Sequence, residues 1–446
     1  MTNIHSEIGF HPADWSIQRV DSLFDIQQGK SVSKAHREGD NQKSFLRTKN
    51  IFWGKIDFSE LDHMHFTSTE ETRLKLQAGD LLLCEGGDVG RTAIWNNQAE
   101  DCYYQNHLHR LRKKSNNEIE PQFALYWFWY AFEFANIYIG RSNVTTIPNL
   151  SQSKLSELQI PKPPLPEQRR IAHVLSIVQT AIEQQARLIA LTRELKAALM
   201  RQLFTEGLPA ADSGDNADRP HRSSRPVRSQ KMTEIGLVPE DWEVVKLEDV
   251  CQLIVDCPHT TPNFQQSGVR VARNFNIRDG RFVFEHAYFT TEEEYRHRTK
   301  RAEPKPGDIL FSREAPVGEA CLIPQNMKLS LGQRTMLLRT NPAKLDPAFM
   351  VYNFYSPNVR QRILSMASGL TVAHLNVADV RSLAVPIPTI SEQIKIGNHL
   401  TLLDERIEIV QAKKNLLEEL FRTLLHHLMT GQARTTGLDL TGLGDL

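Results

Sequence analysis

Several short segments of this chain carry side chains that can recognise nucleic-acid bases. Arginine, asparagine and glutamine can form paired hydrogen bonds with guanine or adenine edges, and serine and threonine suit phosphates. Such residues occur in FLRTKNI (45–51), in VRVARNF (269–275) and in further loops at corresponding places. The candidate contact residues are Arg47, Lys49, Asn50, Arg91, Gln105, Asn106, Arg141, Ser142, Thr145, Arg270, Arg273, Asn274, Arg313, Gln333, Arg334, Thr371 and His374. We therefore predict a protein that reads nucleic acid with two similar sets of loops.

The charge balance favours local basic faces over bulk electrostatic binding. In 446 residues, 53 Lys and Arg match 53 Asp and Glu. A protein that coats nucleic acid through its overall charge would be basic. The basic run RHRTKR (296–301) suits phosphate contacts better than base recognition.

Motifs for catalysis or metal binding are weak. The segment EGGDVG (85–90) lacks GxGxxG spacing, and no P-loop motif occurs in the chain. Each Gly-Asp pair (79–80 and 307–308) has a second carboxylate nearby but no lysine that would complete a nuclease site, so we interpret it as a turn that opens a strand. The five cysteines include no CxxC pair. We predict no catalytic residue, no metal site and no cofactor in this chain.

The elements that must position the candidate loops repeat along the chain. The opening IGFHPADW returns as IGLVPEDW, and GDLLL returns as GDILF. An internal repeat of this length predicts two similar domains. Within each copy, short apolar runs predict strands, and residues 121–139 and 347–366 each predict one helix.

A long helix follows each domain. Residues 161–207 enter a helix through prolines, and nothing after Glu167 breaks it before Gly207. Residues 386–430 repeat the proline entry, the Glu-Gln pair and an apolar stripe with spacings of three and four. Positions of the first stripe recur 225 residues later, as in 171 and 396 or 182 and 407. The stripe residues are Ile171, Leu175, Val178, Ile182, Ile189, Leu195, Leu199, Ile396, Leu400, Leu403, Ile407, Val410, Leu417 and Leu424. We expect the two helices to pair as a coiled coil.

The repeat divides the chain into six segments. No run of about 18 apolar residues suggests that any of them spans a membrane. The predicted segments are a first domain (1–160), a first long helix (161–207), a flexible linker (208–230), a second domain (231–385), a second long helix (386–430) and a C-terminal tail (431–446). The start of the chain lacks a basic region followed by an apolar one, so we expect a cytoplasmic protein.

The sequence resembles the specificity (S) subunit, HsdS, of type I restriction-modification systems over nearly its whole length. The resemblance rests on IPKPPLPEQRRIAHVL and PIPTISEQIKIGNHL, and on GDLLLCEGGDVGRTAIW with its partner GDILFSREAPVGEACLI. It implies an α/β protein with two similar target recognition domains, separated by two long helices packed as an antiparallel coiled coil, in a pseudo-twofold internal repeat. A helix over 167–204 would be about 57 Å long at 1.5 Å per residue, enough to separate two major-groove readers by a turn or more.

The same resemblance implies partners and a role. Each domain would read one half of an asymmetric bipartite site in double-stranded DNA. Two methyltransferase (M) subunits would dock on the helices, and restriction/translocase (R) subunits would join them in phage defence. Adenine methylation and cleavage would then use S-adenosylmethionine, ATP and Mg in the partner subunits, while this chain would be a non-catalytic recognition subunit.

Two other functions stay open at this stage. A stand-alone DNA-cleaving enzyme would need a carboxylate-lysine metal site, and a coiled-coil scaffold would need no paired Arg, Asn and Gln loops. We also expect Gln185 and Lys414, which interrupt the stripes, to meet and fix the register of the antiparallel helices.

Overall fold

The structure is a computed structural model that separates into two compact units. The first unit comprises Met1–Ala186 and Ala412–Leu446, and the second comprises Arg187–Gln411. The described residues are 3–6, 8–115, 117–138, 149–209, 228–258, 260–286, 288–367 and 373–435. The candidate residues Arg141, Ser142, Thr145 and Thr371 lie outside the described residues, so their DNA contacts stay predictions.

The first unit is built from thirteen described strands and five short helices. The strands are β1 (Asn3–Ser6), β2 (Gly9–Pro12), β3 (Ser16–Arg19), β4 (Phe24–Gln28), β5 (Gln42–Leu46), β6 (Ile51–Phe52), β7 (Lys55–Ile56), β8 (Asp62–His65), β9 (Leu81–Cys84), β10 (Thr92–Ile94), β11 (Cys102–Tyr104), β12 (Leu108–Lys113) and β13 (Gln159–Lys162). The helices are α1 (Val20–Leu23), α2 (Lys34–Glu38), α3 (Ser68–Leu74), α4 (Pro121–Trp129) and α5 (Gln152–Glu157). The first long helix, α6 (Leu165–Glu206), follows β13.

Two sheets organise this unit. Strands β10, β9, β12 and β4 form an antiparallel sheet in that order, and β11, β5 and β8 form a mixed sheet in which β11 runs parallel to β5. The aromatic helix α4 lies in the main core, where its Phe123, Tyr126 and Phe128 are fully buried. Those aromatic side chains therefore serve packing.

The second unit has the same strands in the same order, whereas its helices differ at two places: no described helix corresponds to α2, and an additional helix follows the counterpart of α4. Its strands are β14 (Gln230–Thr233), β15 (Gly236–Pro239), β16 (Glu243–Lys246), β17 (Cys251–Asp256), β18 (Val269–Ala272), β19 (Ile277–Arg278), β20 (Arg281–Phe282), β21 (Tyr288–Thr290), β22 (Ile309–Ser312), β23 (Ala320–Leu322), β24 (Leu329–Leu331), β25 (Thr335–Thr340) and β26 (Ala384–Ile387). Its helices are α7 (Leu247–Val250), α8 (Glu292–Arg298), α9 (Pro347–Phe354), α10 (Pro357–Met366) and α11 (Val377–Arg381), and the second long helix is α12 (Ile390–Met429).

The sheets of the second unit repeat those of the first strand for strand. Strands β23, β22, β25 and β17 form the antiparallel sheet, and β24, β18 and β21 form the mixed one, again with one parallel pair. The predicted internal repeat of two α/β domains is therefore confirmed.

The helices predicted over 121–139 and 347–366 differ from the prediction in two ways. In the first unit α4 continues into a π-helical turn, Tyr130–Phe134. In the second unit, α9 ends at Phe354 and α10 starts at Pro357, because proline cannot continue the hydrogen bonding of a preceding helix. The expectation of one continuous helix was wrong for 347–366, whereas the helix over 121–139 is continuous but ends at Phe134.

The aspartate of each Gly-Asp pair forms a buried clamp. Asp80 accepts hydrogen bonds from Nε (2.8 Å) and Nη2 (2.7 Å) of Arg112, and from the backbone N–H of Gln77 (2.7 Å). Asp308 and Arg339 repeat the pair in the second unit at 2.8 and 2.7 Å. A paired, hydrogen-bonded carboxylate of this kind joins two neighbouring strands, so the motif does more than start a turn.

The Glu-Gln pair at the start of each long helix fastens that helix to its domain. Gln168 Oε1 accepts from the backbone N–H of Glu120 (2.8 Å), and its Nε2 donates to the carbonyls of Glu118 (3.0 Å) and Pro163 (2.7 Å). Gln393 makes three equivalent bonds, each 2.9 Å long. The side chains of Gln168 and Gln393 are fully buried and fully hydrogen-bonded, which explains why a glutamine recurs at this position in the two copies.

The segments that follow the long helices make matching ion pairs. Arg434, in the predicted tail, donates from Nε to Glu167 Oε1 (2.7 Å) and from Nη2 to Asp14 Oδ2 (2.6 Å). Arg228, in the predicted linker, donates from Nη1 to Glu392 Oε1 (2.7 Å). Each unit is thus completed by an arginine from the segment beyond a long helix.

The two long helices pair within each unit, and their residue numbers run in opposite directions. In the second unit Ile189 clusters with Ile407 and Val410, and Lys196 contacts Asp404 earlier in α12. The predicted antiparallel coiled coil is therefore confirmed. No described helix is long and apolar enough to cross a membrane.

Most stripe residues are buried as predicted, with one exception. The buried members are Ile171, Leu175, Val178, Ile189, Ile396, Leu400, Ile407 and Val410, and the partly buried ones are Ile182, Leu199, Leu403, Leu417 and Leu424. Leu195 is 56% exposed, which contradicts its assignment to the stripe. Thr192 and Lys196 take the inward positions there, so Leu195 points about 100° away from the seam.

The polar pair that links the helices differs from the predicted one. Lys414 donates to Glu418 of its own helix (2.6 Å), and no hydrogen bond joins it to Gln185 among the described residues. Instead Lys196 Nζ lies 2.7 Å from both carboxylate oxygens of Asp404 in the second unit. The sequence pattern did not reveal this pair, because neither residue interrupts an apolar stripe in the predicted register.

Candidate nucleic-acid interface

Most of the described candidate residues lie beside the strand ends on one side of the four-stranded sheet of their unit. In the first unit β9 ends at Cys84 opposite Leu108, the first residue of β12, and Gln28 at the end of β4 lies opposite His109. Antiparallel pairing thus brings together the loops after β4 and β9 and the turn before β12. We call this region, and its counterpart formed by the loop after β22 and the turn before β25, the loop edge of each unit.

Backbone hydrogen bonds fix the loop edge of the first unit. The N–H of Glu85 donates to the carbonyl of His107 (2.9 Å), and the carbonyl of Glu85 accepts from the N–H of Leu150 (2.8 Å). The ring of His109 donates from Nε2 to the carbonyl of Leu150 (3.0 Å). Burial lowers the pKa of His109, which keeps this ring neutral and suited to that single bond.

The same backbone hydrogen bonds hold the loop edge of the second unit, and we call this shared set of bonds the frame. The N–H of Arg313 donates to the carbonyl of Arg334 (2.9 Å), and its carbonyl accepts from the N–H of Leu375 (3.0 Å). Glu85 and Arg313 therefore occupy equivalent positions in the two units.

The side chains on this shared frame have opposite charge. In the first unit Gln28 Nε2 donates to Glu85 Oε2 (3.0 Å), and Glu85 is 6% exposed. In the second unit Asp256 lies opposite Arg313, with Oδ1 3.2 Å from Nε. Arg313 also donates from Nη1 to the carbonyl of Leu375 (3.1 Å). Arg313 thus holds the loop in place, which corrects its prediction as a direct contact residue.

A concave polar surface opens beside the glycines of the first loop edge. It has a volume of about 300 Å³ and is lined by Thr48, Gly86, Gly87, His107 and Asn149. Gly87 has φ +74°, and a Cβ atom added at either glycine would meet nothing within 4 Å. Because glycine has no side chain, the backbone at these two positions is open to close approach by a ligand.

The corresponding surface of the second unit is formed by charged residues. Glu314 lies 3.4 Å from Arg334 Nε, and a backbone bridge joins Glu314 to His374. The side chain of Arg334 is 49% exposed. Asn274 is 9% exposed and its amide donates to the carbonyl of Ala315, so Asn274 supports the loop and is not free to read bases as predicted.

Asn50 is also a structural residue. Its Oδ1 accepts from the N–H of Arg47 (2.9 Å), and its Nδ2 donates to the carbonyls of Asp57 (3.0 Å) and Glu60 (3.0 Å). Asn276 makes the same contacts in the second unit. Asn50 is 2% exposed, which corrects its prediction as a base contact and makes Asn276 its counterpart.

The basic residues of FLRTKNI are held by acidic neighbours. Arg47 Nη1 donates to Asp62 Oδ2 (2.8 Å), and Lys49 Nζ lies 2.9 Å from Glu60 Oε2. Both side chains remain partly exposed, at 41% and 40%. Exposed ion pairs are weak, so either cation can be redirected toward a phosphate.

The arginines of VRVARNF lie on aromatic rings. Arg273 is 4.9 Å from the ring centre of Phe275 and 5.0 Å from that of Tyr288, and Arg270 is 5.3 Å from that of Phe289. Cation–π contacts of this kind hold a guanidinium flat against a surface. The second unit therefore presents arginines on an aromatic face where the first presents ion pairs.

The remaining described candidates differ in accessibility. Arg91 Nη2 pairs with Asp88 (2.6 Å) and lies over the ring of Phe52 (5.3 Å). Gln105 is 5% exposed, so it shapes the turn before β12 instead of facing solvent as predicted. Asn106 and Gln333 are partly exposed.

Sequence reasoning missed three residues that line the first loop edge. Thr48 lies between two candidates in FLRTKNI, His107 directly follows the candidate Gln105-Asn106 pair, and Asn149 precedes the contact at Leu150. The side chain of His107 is 55% exposed. Proximity to known candidates was the available signal, but the sequence could not show which neighbour faces outward.

Two copies of one fold that display different side chains on the same loop frame define a bipartite recognition protein built by duplication. The chain belongs to the family described as Type I restriction modification DNA specificity domain, which matches residues 12–193 and again 239–419. It is therefore a DNA specificity subunit of the type I restriction-modification class, which works with DNA and with other subunits.

Similar proteins span almost the full length of this chain. A candidate specificity subunit of the MjaX type I restriction enzyme from Methanocaldococcus jannaschii is 27% identical over 437 residues, covering 96% of each chain. The EcoBI type I restriction enzyme specificity subunit from Escherichia coli is 20% identical over 461 residues, covering 98% of this chain and 91% of the relative.

A solved structure has the same fold. The crystal structure of a type I restriction-modification S subunit from M. genitalium aligns with a TM-score of 0.57 and 18% sequence identity, over 93% of this chain and 96% of that one. The fold predicted from the resemblance to HsdS is therefore confirmed.

Proposed function

We propose that each loop edge of this specificity subunit reads one half of an asymmetric bipartite DNA target. The observation that supports this most directly is the pair of equivalent loop edges with different chemistry. One carries His107 where the other carries Arg334, and both side chains are about half exposed. Because hydrogen-bond donors and acceptors select different base edges, two such surfaces would prefer different sequences.

We further propose the partners that act at the target. Two methyltransferase (M) subunits and the restriction/translocase (R) subunits would bind this chain, and S-adenosylmethionine, ATP and Mg would belong to those subunits. The methyltransferases would methylate an adenine in each half-site after base flipping. Membership of the specificity family supports these partners. We propose the cytoplasm as the place where the complex acts.

Sequencing of modified bases tests recognition itself. Genomic DNA would be compared from cells that carry the partner methyltransferase, with and without this chain. We expect adenine methylation at one asymmetric bipartite motif that disappears when the chain is deleted. Unchanged methylation, with both proteins expressed, would contradict the proposal.

Matched variants test whether each loop edge recognises a different half of the DNA target. His107→Ala changes the first loop edge, and Arg334→Ala changes the equivalent position of the second. We expect each variant to relax a different half of the methylated motif and leave the other half intact, with a loss of about 1–3 kcal/mol of base discrimination. Arg296→Ala, on an exposed face of α8 in the basic run predicted to contact phosphates, is the control: it should weaken binding to all sequences alike and leave the specificity of both halves unchanged. Loss of the same half in both variants would refute the assignment.

A further inference from the structure

The first unit contains an aromatic groove outside the loop edge. It has a volume of about 600 Å³ and lies between the β6–β7 hairpin, the end of α4 and segments of α6 and α12. We call it the aromatic groove. Its apolar wall is formed by Phe52, Trp53, Trp129, Phe134, Ile182 and Phe421.

Large aromatic side chains remain accessible in this groove. Phe52 is 41% exposed and Phe134 is 38% exposed. Trp53 and Trp129 stack with ring centres 5.6 Å apart and an angle of 4° between the planes, which makes a flat and rigid surface. Exposed aromatic residues in a concave site are typical of protein–protein contacts, where they accept an apolar anchor.

The rim of the aromatic groove is predominantly acidic. Four carboxylates line it together with two cations, Lys55 and Arg422. One carboxylate, Glu418, is bonded to Lys414 (2.6 Å), whereas Glu133 and Glu183 are exposed. A partner segment that fits here would combine an apolar side chain with flanking lysine or arginine.

The second unit has a groove of about 540 Å³ at the equivalent place, between the β19–β20 hairpin, α9 and the two long helices. We call it the ionic groove. Arg278 stands where Phe52 stands in the first unit, because both end the first strand of the hairpin. Lys196 corresponds to Phe421, which lies 225 positions later in the chain (196 and 421).

Ion pairs already occupy the floor of the ionic groove. Asp404 accepts hydrogen bonds from Lys196 Nζ (2.7 Å), from Arg281 Nη2 (2.8 Å) and from the hydroxyl of Tyr352 (2.8 Å). An apolar anchor could enter only by breaking this network, which would leave buried charge without a partner.

The rim of the ionic groove is predominantly basic, although the exposed Asp279 also lines it. Arg193 and Arg278 are exposed, and neither forms an ion pair with any residue that the structure describes. A segment with flanking cations would meet like charges here, whereas it would meet carboxylates in the aromatic groove.

We propose that the aromatic groove is the tighter of two unequal docking sites for the partner methyltransferase subunit. The methyltransferase would present an aromatic or branched aliphatic side chain flanked by lysine or arginine, and the ionic groove would bind the same segment weakly. This inference rests on the proposed function, because it takes the methyltransferase as the partner. It predicts that two copies of one partner bind this chain in two distinguishable steps.

A reciprocal exchange at equivalent positions tests the inference. The purified methyltransferase subunit would be titrated into the full-length chain, with calorimetry for affinity and native mass spectrometry for stoichiometry. For the unaltered chain we expect two steps that differ by about tenfold or more in affinity. Phe52→Arg should abolish the tight step, and Arg278→Phe should strengthen the weak step and leave the tight one unchanged.

The outcomes separate this inference from the proposed function. If the unaltered chain binds no methyltransferase, the proposed partner is wrong and the inference falls with it. If it binds two copies with equal affinity, or if Phe52→Arg retains the tight step, only the inference is overturned. A self-dimer of the chain that Phe52→Arg dissociates would assign the groove to a second copy and also overturn it. Should Phe52→Arg fail to fold, Phe134→Arg on the opposite side of the groove replaces it with the same expectations.

Discussion

The two units share a frame and differ in what they display on it. The contacts that hold the frame recur, as in the clamps of Asp80 and Asp308 and the buried glutamines Gln168 and Gln393. The loop edges and the grooves instead differ in charge. Duplication thus preserved the buried hydrogen bonds, whose loss is costly, and changed side chains that a partner can reach.

The grooves show how one position can be stabilised by different means. In the first unit Phe421 lies 4.9 Å from Trp129 and 6.0 Å from Tyr126, measured between ring centres. In the second unit Lys196 fills the equivalent position, with its ammonium 5.0 Å from the ring centre of Tyr352 and paired with Asp404. The aromatic ring can be exchanged for a cation only because an acidic residue accompanies it.

The largest expected effect comes from an exchange at these positions. Phe421→Lys removes a buried ring and places an ammonium opposite Gln179, which occupies the position of Asp404. We expect the first unit to lose about 3–5 kcal/mol of unfolding free energy. Hydrogen exchange of α4 amides would measure this loss. The double variant with Gln179→Asp should recover about 1–2 kcal/mol of it. Recovery by less than the error of the measurement would show that the units are not equivalent here.

The clamps should respond equally in the two units. Asp80→Ala removes the carboxylate that pairs with Arg112, and Asp308→Ala does the same to Arg339, so that each guanidinium keeps one backbone carbonyl as an acceptor. Each variant should cost its own unit about 2–4 kcal/mol of unfolding free energy, because each removes a buried carboxylate that accepts three hydrogen bonds. Denaturant unfolding, with hydrogen exchange of the amides in β9 and β22 as the readout, would compare the loss of unfolding free energy in the two units. A difference above about 1 kcal/mol would contradict a shared frame.

Removal of the arginines beyond the long helices should have a smaller effect. Arg434→Ala leaves Glu167 buried with the indole N–H of Trp15 (3.2 Å) as a remaining donor. Arg228→Ala leaves Glu392 with the backbone N–H of Leu208 (2.8 Å). We expect a loss of about 2 kcal/mol in each case, since one charge-assisted donor remains. Thermal unfolding would measure it. A stability change confined to one variant would show that only one unit depends on its closing segment.

The smallest expected effect distinguishes the units at acid pH. Burial would raise the pKa of Glu70, but hydrogen bonds from Lys30 and Thr67 outweigh it and hold the pKa at about 2. The ionised carboxylate therefore stabilises the first unit above about pH 4.5, and this contribution disappears as the pH falls toward 2. In the second unit the buried Arg298 donates hydrogen bonds to carbonyls, which do not titrate, and it pairs only loosely with Glu294, at 3.6 Å, compared with 2.5 Å between Lys30 and Glu70.

Stability measured from pH 5 to pH 2 would reveal the contribution of Glu70. We expect Glu70→Gln to be about 1 kcal/mol less stable than the unaltered chain at pH 5 and nearly equal to it below pH 2. A constant difference across this pH range would show that the ionised carboxylate is not what stabilises the pair.

The sequence alone determined the duplication, the order of the elements and the two long helices. Repeated motifs and apolar spacing are local properties of a chain, so the positions of GDLLL and GDILF and the proline entries could be predicted without coordinates. Most stripe residues were correct for the same reason. Leu195 was not, because Thr192 and Lys196 occupy the inward positions there, and a search for apolar spacing does not select polar residues.

The tertiary structure alone decided which polar side chains are free. Asn50 and Asn274 have the residue type of base readers, yet both are buried and bonded to carbonyls that lie far from them in sequence or across a turn. Conversely, Thr48, His107 and Asn149 meet at one open surface only after the sheet has formed. A side chain's type fixes the bonds it can make, whereas the folded backbone decides whether a neighbouring carbonyl or an external ligand receives them.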